Sequence, residues 1–241
     1  MASTATRLKR GIALGVWGWD YELGSVRGVQ YLESLQSMLD CGAEVHVLTH
    51  TDTLLKREQP AGVHCCPVLN QDAVRTLGVT RRLPFLKEFL DYMSGRLCDV
   101  FGYVNSDILL DSAAMNVLRQ VHGAWALSRY DIADCTYEQF KRKQFKIESY
   151  CHSGFDLIAF TPGWWAAHRN RFPDGFLIGE AVWDNYYATT IHRLDPSHTY
   201  SSKLLYHRPH PGGSWSPGSP EFKHNDRVRN ENPLPEDRTC H

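Results

Sequence analysis

The opening of this chain leaves few folds open to it. Gly11-Ile-Ala-Leu-Gly-Val-Trp17 is an apolar run of strand length. A helix predicted from about Ser25 to Cys41 carries Val29, Leu32, Leu35 and Leu39 on one stripe, with Gly42 as its stop, and Glu44-Val-His-Val-Leu-Thr49 is a second strand. Strand, helix and strand in this order pair the two strands in parallel, with the helix crossing one face of the sheet. The expected class is α/β, a single Rossmann-like domain with a mainly parallel central sheet flanked by helices. At 241 residues the chain can bury one large core.

The pattern continues with a short apolar run from Val63 to Val68 and a short helix from Gln71 to Leu77 closed by Gly78. A firmer helix follows Thr80 and Pro84, with Phe85, Leu86, Phe89, Leu90 and Met93 at helical spacing and Gly95 at its end. Asp111 caps a helix through about Val121, and Ala124 to Ser128 is a strand. Asp131 to Tyr150 reads as a partly helical excursion. Gly154 to Phe160 is a strand, Thr161-Pro162 starts a helix bearing Trp164 and Trp165, Gly179 to about Ile191 is a helix, and Lys203 to Tyr206 is a last strand. This gives a flexible N-terminus at 1–10, a domain at 11–208 and a Pro/Gly-rich tail at 209–241, either disordered or a lid over the site.

A formal net charge of −1 removes the broad electrostatic footprint of a nucleic-acid or anionic-membrane binder. The seven cysteines show neither Cys-x-x-Cys pairs nor framework spacing, which fits reduced thiols and a cytoplasmic location. The basic N-terminus lacks the apolar core of a signal peptide, and no window approaches the length of a membrane span. The oligomeric state is open.

Three segments carry chemistry. Phe101-Gly-Tyr-Val-Asn-Ser-Asp-Ile-Leu-Leu110 drives a buried strand into Asn105-Ser106-Asp107, where a carboxylate leaves the sheet at the end that binds ligands in open α/β sheets. An Asx turn is the plainer use of these residues. In Gly175 to Asn185, Glu180 and Asp184 stand four apart and are expected on one helix face, as base, nucleophile or metal partner; a dipole complement and a solvated surface charge are the plainer uses. In Tyr206 to Trp215, His207 and His210 follow a strand and can ligate a divalent cation. Asp107, His207 and phosphate oxygens together suit Mg2+ or Mn2+ rather than structural zinc. Phosphate loops of the Gly-x-Gly-x-x-Gly and Walker types are absent, as is a Gly-x-Ser-x-Gly elbow. Arg81, Arg82, Lys203 and Arg208 are the cations available for phosphate. Trp164, Trp165, Trp183, Tyr186 and Tyr187 offer ring-stacking faces, although core packing is the commoner use.

From Gly11 to Trp215 the order of these segments resembles nucleotide-sugar glycosyltransferases of the GT-A fold. The resemblance implies a metal-dependent transfer from a nucleoside-diphosphate sugar donor to a hydroxyl-bearing acceptor. Asn105-Ser106-Asp107 takes the place of the family's Asp-x-Asp turn, with asparagine for the first aspartate, so Asp107 becomes the direct ligand and His207 completes the metal shell. Asp184 would be the base and Glu180 would orient the acceptor. Val16 to Asp20 (Val16 and Trp17 above all) and Thr49 to Asp52 would grip the nucleoside, with Arg81, Asn105, Ser106 and Lys203 on the donor. Two other readings use the same residues: a nucleotidyltransferase, which lacks its basic Gly-rich loop here, and a non-catalytic carbohydrate- or nucleotide-binding module.

Overall fold

The computed structural model describes residues 11–18, 22, 24–55, 58–151, 154–196, 201–210 and 217–234, with 201–203 by backbone alone. The N-terminal arm at 1–10, Asp20, the Lys203 side chain, Trp215 and the last residues of the tail lie outside the described residues. Nine strands form one sheet among the described residues. They are β1 (Ile12–Trp17), β2 (Glu44–His50), β3 (Val63–Leu69), β4 (Val100–Val104), β5 (Ile108–Leu110), β6 (Ala124–Ile132), β7 (Ile147–Tyr150), β8 (Leu157–Phe160) and β9 (Ser201–His207). Their order is β3-β2-β1-β4-β8-β6-β9-β5, with β7 beside β6. The helices are α1 (Val26–Asp40), α2 (Ala73–Leu77), α3 (Leu86–Ser94), α4 (Ser112–Leu118), α5 (Tyr137–Lys141), α6 (Pro162–His168), α7 (Trp183–Leu194) and α8 (Pro220–Glu231).

The α/β class expected from the opening pattern is the class observed. β1 pairs in parallel with β2 and β4, β2 with β3, and β6 with β9. β8 runs antiparallel to β4 and β6, β7 to β6, and β5 to β9. Polar caps start the helices where the sequence places them. Ser25 accepts from the Gly28 amide at 3.1 Å, and Asp111 accepts from the Ala114 amide at 3.0 Å, each such cap contributing about 1 kcal/mol.

The period of two in β1 divides the core. Ile12, Leu14 and Val16 pack on one face with Tyr31, Leu35 and Met38 of α1 and Met115 of α4. The opposite face meets α3, where a Cβ on Gly15 would stand 2.5 Å from the Phe89 ring. Phe89, Leu90, Phe160, Trp165 and Tyr187 fill that second layer. Each fully buried side chain of this size stabilises the fold by roughly 1.5–3 kcal/mol. After β3 the chain crosses back to lay β4 on the free side of β1, so the carboxyl ends of β1 and β4 flank the point where strand order reverses. Open α/β sheets bind ligands at such a point.

Two differences from expectation bear on the site. The helix expected from Gly179 begins at Trp183, because Gly179 (φ +84°) and Val182 (φ +89°) are left-handed. The Asn225 side chain also takes the Leu177 amide, the Leu177 carbonyl and the Ala181 carbonyl at 2.8–3.1 Å. Glu180 and Asp184 therefore do not share a helix face. A β-branched residue at φ +89° costs about 1–3 kcal/mol and is typical of strain held at a functional turn. The second difference is α8, a helix inside the Pro/Gly-rich tail, capped by Ser219 with Pro220 in its first turn. It has little apolar periodicity and is held instead by buried polar groups, Asn225 and Glu221. Glu221 Oε1 accepts from the Thr80 and Arg81 amides at 3.1 and 2.8 Å. No helix among the described residues is long and apolar enough to cross a membrane.

Candidate active site

A cleft of about 1000 Å³ opens at the carboxyl ends of β1 and β4. Trp17, Arg81, Asn105, Ser106, Asp107, Glu180, Asp184 and His207 all line it. Val16 does not, since its side chain is fully buried against α1. Asp52 is also off the wall, tied to Arg75 and Arg82. Of the aromatic residues, Trp165 and Tyr187 are core, whereas Trp183 and Tyr186 are buried and still reach the cleft.

The turn between β4 and β5 brings Asp107 against the end of β9. His210 Nε2 lies 3.1 Å from Asp107 Oδ2 and 3.3 Å from His207 Nε2, and His207 Nε2 lies 3.7 Å from the same carboxylate oxygen. Neighbouring ligands about 2.1 Å from an octahedral ion stand about 3.0 Å apart, so these atoms come close to the edges of one coordination polyhedron. Asp107 Oδ1 is buried without a hydrogen-bond partner. One carboxylate and two imidazoles are a donor set that fits a divalent transition ion. His207 Nδ1 faces Asp131 Oδ1 at 3.0 Å. That acceptor fixes the proton on Nδ1 and leaves Nε2 as the ligand atom, the usual arrangement around a metal-binding histidine. Burial pushes the Asp107 carboxyl up, but the His210 bond and the fields of His207, His210 and Arg129 outweigh it, and its pKa lies below the usual carboxylate value. Burial is likewise overcome at Asp131, by Arg129, Ser149 and His207.

The floor of the cleft is a network that sequence reasoning did not single out. Arg129 donates to Asp131 Oδ1 at 3.0 Å and to Asp156 Oδ1 at 2.7 Å. Asn105 is committed to the same network: its amide nitrogen donates to Asp156 Oδ1 at 2.6 Å and its oxygen accepts from the Tyr103 hydroxyl at 2.7 Å. Asn105 thus shapes the floor beside Asp107. Asp156 is almost fully buried, its Oδ2 has no partner, and burial raises its pKa. The signal available in the sequence was a charge interrupting apolar strand residues, in Leu127-Ser-Arg-Tyr-Asp131 and Gly154-Phe-Asp156.

Asp184, also on the cleft wall, sits in the first turn of α7. Its Oδ2 accepts from the Phe155 amide at 3.3 Å, and its Oδ1 is buried without a partner. Burial lifts its pKa to about 6; backbone hydrogen bonds oppose the rise and Asp156 adds to it. Glu180 is buried, paired through Oε1 with Arg81, and its Oε2 has no partner. Burial raises its pKa against the pull of Arg81. Phe222 and Arg229 of α8, with Pro233 and Leu234 beyond it, complete the wall.

No protein-family model matches the chain, and no curated protein sequence matches it. Among solved structures it is similar to GalNAc-T7 crystallised with UDP, GalNAc and Mn2+, at 10% identity and a TM-score of 0.52, over 93% of this chain and 48% of that one. The fold is GT-A-like. This chain spans about half the length of the GalNAc-T7 chain, and at this identity the likeness concerns the fold alone.

Proposed function

We propose that the protein is a metal-dependent glycosyltransferase that moves a sugar from a nucleoside-diphosphate sugar to a hydroxyl acceptor. One observation carries this reading: on a GT-A-like fold, a single cleft is lined both by a carboxylate–imidazole cluster and by a buried carboxylate with a pKa lifted to about 6. The neighbouring fold, solved with UDP, GalNAc and Mn2+, supports the choice of donor chemistry.

Asp107, His207 and His210 would hold a divalent cation. When bound, the cation offsets the negative charge of the departing nucleoside diphosphate. Ser106 and Trp17, which line the same cleft, would meet the diphosphate and the nucleoside. Asp184 takes the proton of the acceptor hydroxyl at its unpartnered Oδ1, since a base is most effective with a pKa near the working pH. Glu180, held by Arg81, orients the acceptor through Oε2. The tail acts as a lid over the cleft, a role supported by Phe222 and Arg229 on its wall.

The test is a panel of nucleotide sugars incubated with the protein and Mn2+ or EDTA, scored for release of nucleoside diphosphate. Metal-dependent release from one donor is expected even without acceptor. A complete panel with no release, or with equal release in EDTA, would remove the proposal.

A further inference from the structure

The two histidines of the cluster are held in opposite tautomers. Asp131 is only an acceptor, so His207 carries its proton on Nδ1 and presents a bare Nε2. His210 is turned the other way: Arg27 Nε donates to its Nδ1 at 3.3 Å. An arginine nitrogen can only donate, so this Nδ1 is an acceptor and the proton of the neutral ring sits on Nε2. That agrees with the other side of the ring, where Nε2 faces Asp107 Oδ2 at 3.1 Å and the bare Nε2 of His207 at 3.3 Å. A metal-binding histidine usually donates its second N–H to an acceptor. His207 has that partner; at His210 a cation stands in its place.

Arg27 lies in the first turn of α1, where a positive charge opposes the helix dipole, so it does not serve the helix there. Its guanidinium reaches the cleft wall beside Ser106 and Asp107. The Gln30 amide donates to the Pro209 carbonyl at 3.0 Å and fixes α1 against the segment bearing both histidines.

We infer that Arg27 is a positioning residue that couples the ion to the diphosphate: it holds His210 in the tautomer closed to metal and releases it when an anionic diphosphate draws the guanidinium away. The second half rests on the nucleotide-sugar reading; the first does not. With Arg27 on Nδ1, an incoming ion meets a protonated Nε2 and a nearby positive charge. With the guanidinium on a diphosphate, the proton can reside on Nδ1, Nε2 becomes a ligand atom, and the neighbouring charge is neutralised. Ion and nucleotide then strengthen each other by the same factor.

The test is calorimetric titration of Mn2+ into the full chain, with and without UDP, for the wild type, Arg27→Met and Arg27→Gln. Nitrogen-15 imidazole spectra with diamagnetic Zn2+ accompany it. Mn2+ alone should bind both variants at least about tenfold more tightly than wild type, with UDP bringing the wild type close to the variants. His210 should appear as the Nε2–H form in the wild type and as Nδ1–H in the Zn2+-loaded variants, while His207 stays Nδ1–H throughout. Mn2+ affinity in the variants equal to or below wild type would overturn the inference, as would an Nδ1–H His210 in the unliganded wild type. Tighter Mn2+ binding in the variants with no response to UDP or GDP would keep the tautomer lock and sink the nucleotide-sugar reading instead.

Discussion

Where β4, β6 and β9 end, Asp107 and Asp131 are each bonded to a basic group and both titrate below the usual carboxylate range. Where the chain turns into α7, Asp184 accepts from the Phe155 amide at Oδ2, has no partner on Oδ1, and has a pKa lifted by burial to about 6. The first arrangement keeps its carboxylates charged at any ordinary pH, as a cation site needs. The second lets a proton come and go near neutrality, as a base needs. Asp156 lies between them, paired with Arg129 and still raised by burial. Carboxylates on one fold are thus given different proton affinities by what surrounds them.

The contrast breaks most visibly at Asp184. Asp184→Asn should lower turnover by roughly 10²-fold or more while nucleotide and Mn2+ binding stay near wild type. Near-normal turnover would remove Asp184 as the base. The wild-type rate should fall as pH drops below about 6, because the carboxyl must be ionised to accept a proton, and the variant should lack that limb. Stability moves the other way. A carboxyl with a folded-state pKa above its unfolded value is most favourable to folding when protonated, at low pH, and that contribution is lost as pH rises through about 6. The variant should therefore gain more thermal stability at pH 8 than at pH 4.

A loss of the same kind, now in binding, is expected at the ion end. Asp107→Ala should abolish metal-dependent nucleotide binding, and unchanged affinity would sink the metal assignment. Asp131→Asn, which removes the anchor of His207, should weaken Mn2+ by about 10- to 100-fold, measured by titration. A smaller effect is expected at Asn225→Ala, which frees the loop carrying Glu180: a loss of about 1–3 kcal/mol in chemical denaturation. The smallest belongs to Asp52→Ala, which should leave nucleotide affinity within about twofold, since Asp52 is bound to Arg75 and Arg82 away from the cleft.

The fold was legible because its signals are local. The apolar run of β1, the stripe on α1 and the caps at Ser25, Asp111 and Thr161 each fix an element without help from the rest of the chain. The turn at Asp107 and the histidines at and beyond the end of β9 were legible for the same reason. The start of α7 was not, because Asn225, 44 residues beyond Ala181, takes a carbonyl that the helix would have used. The tail helix hid behind sparse apolar residues, although Ser219-Pro220-Glu221 is a start signal in its own right. Arg129, Asp131 and Asp156 gain their meaning only when β6 and β8 lie side by side. Val16 and Asp52 had position along the chain in their favour, and position does not say which way a side chain faces.

The most direct measurement is titration of UDP and of GDP into the protein with Mn2+ and again with EDTA. One nucleoside diphosphate should bind with Mn2+ and lose at least about tenfold in affinity without it, a change of about 1.4 kcal/mol. Equal binding in EDTA, or no binding of either nucleotide with Mn2+ present, would contradict the assignment of the Asp107 cluster as the diphosphate end of a glycosyl-transfer site.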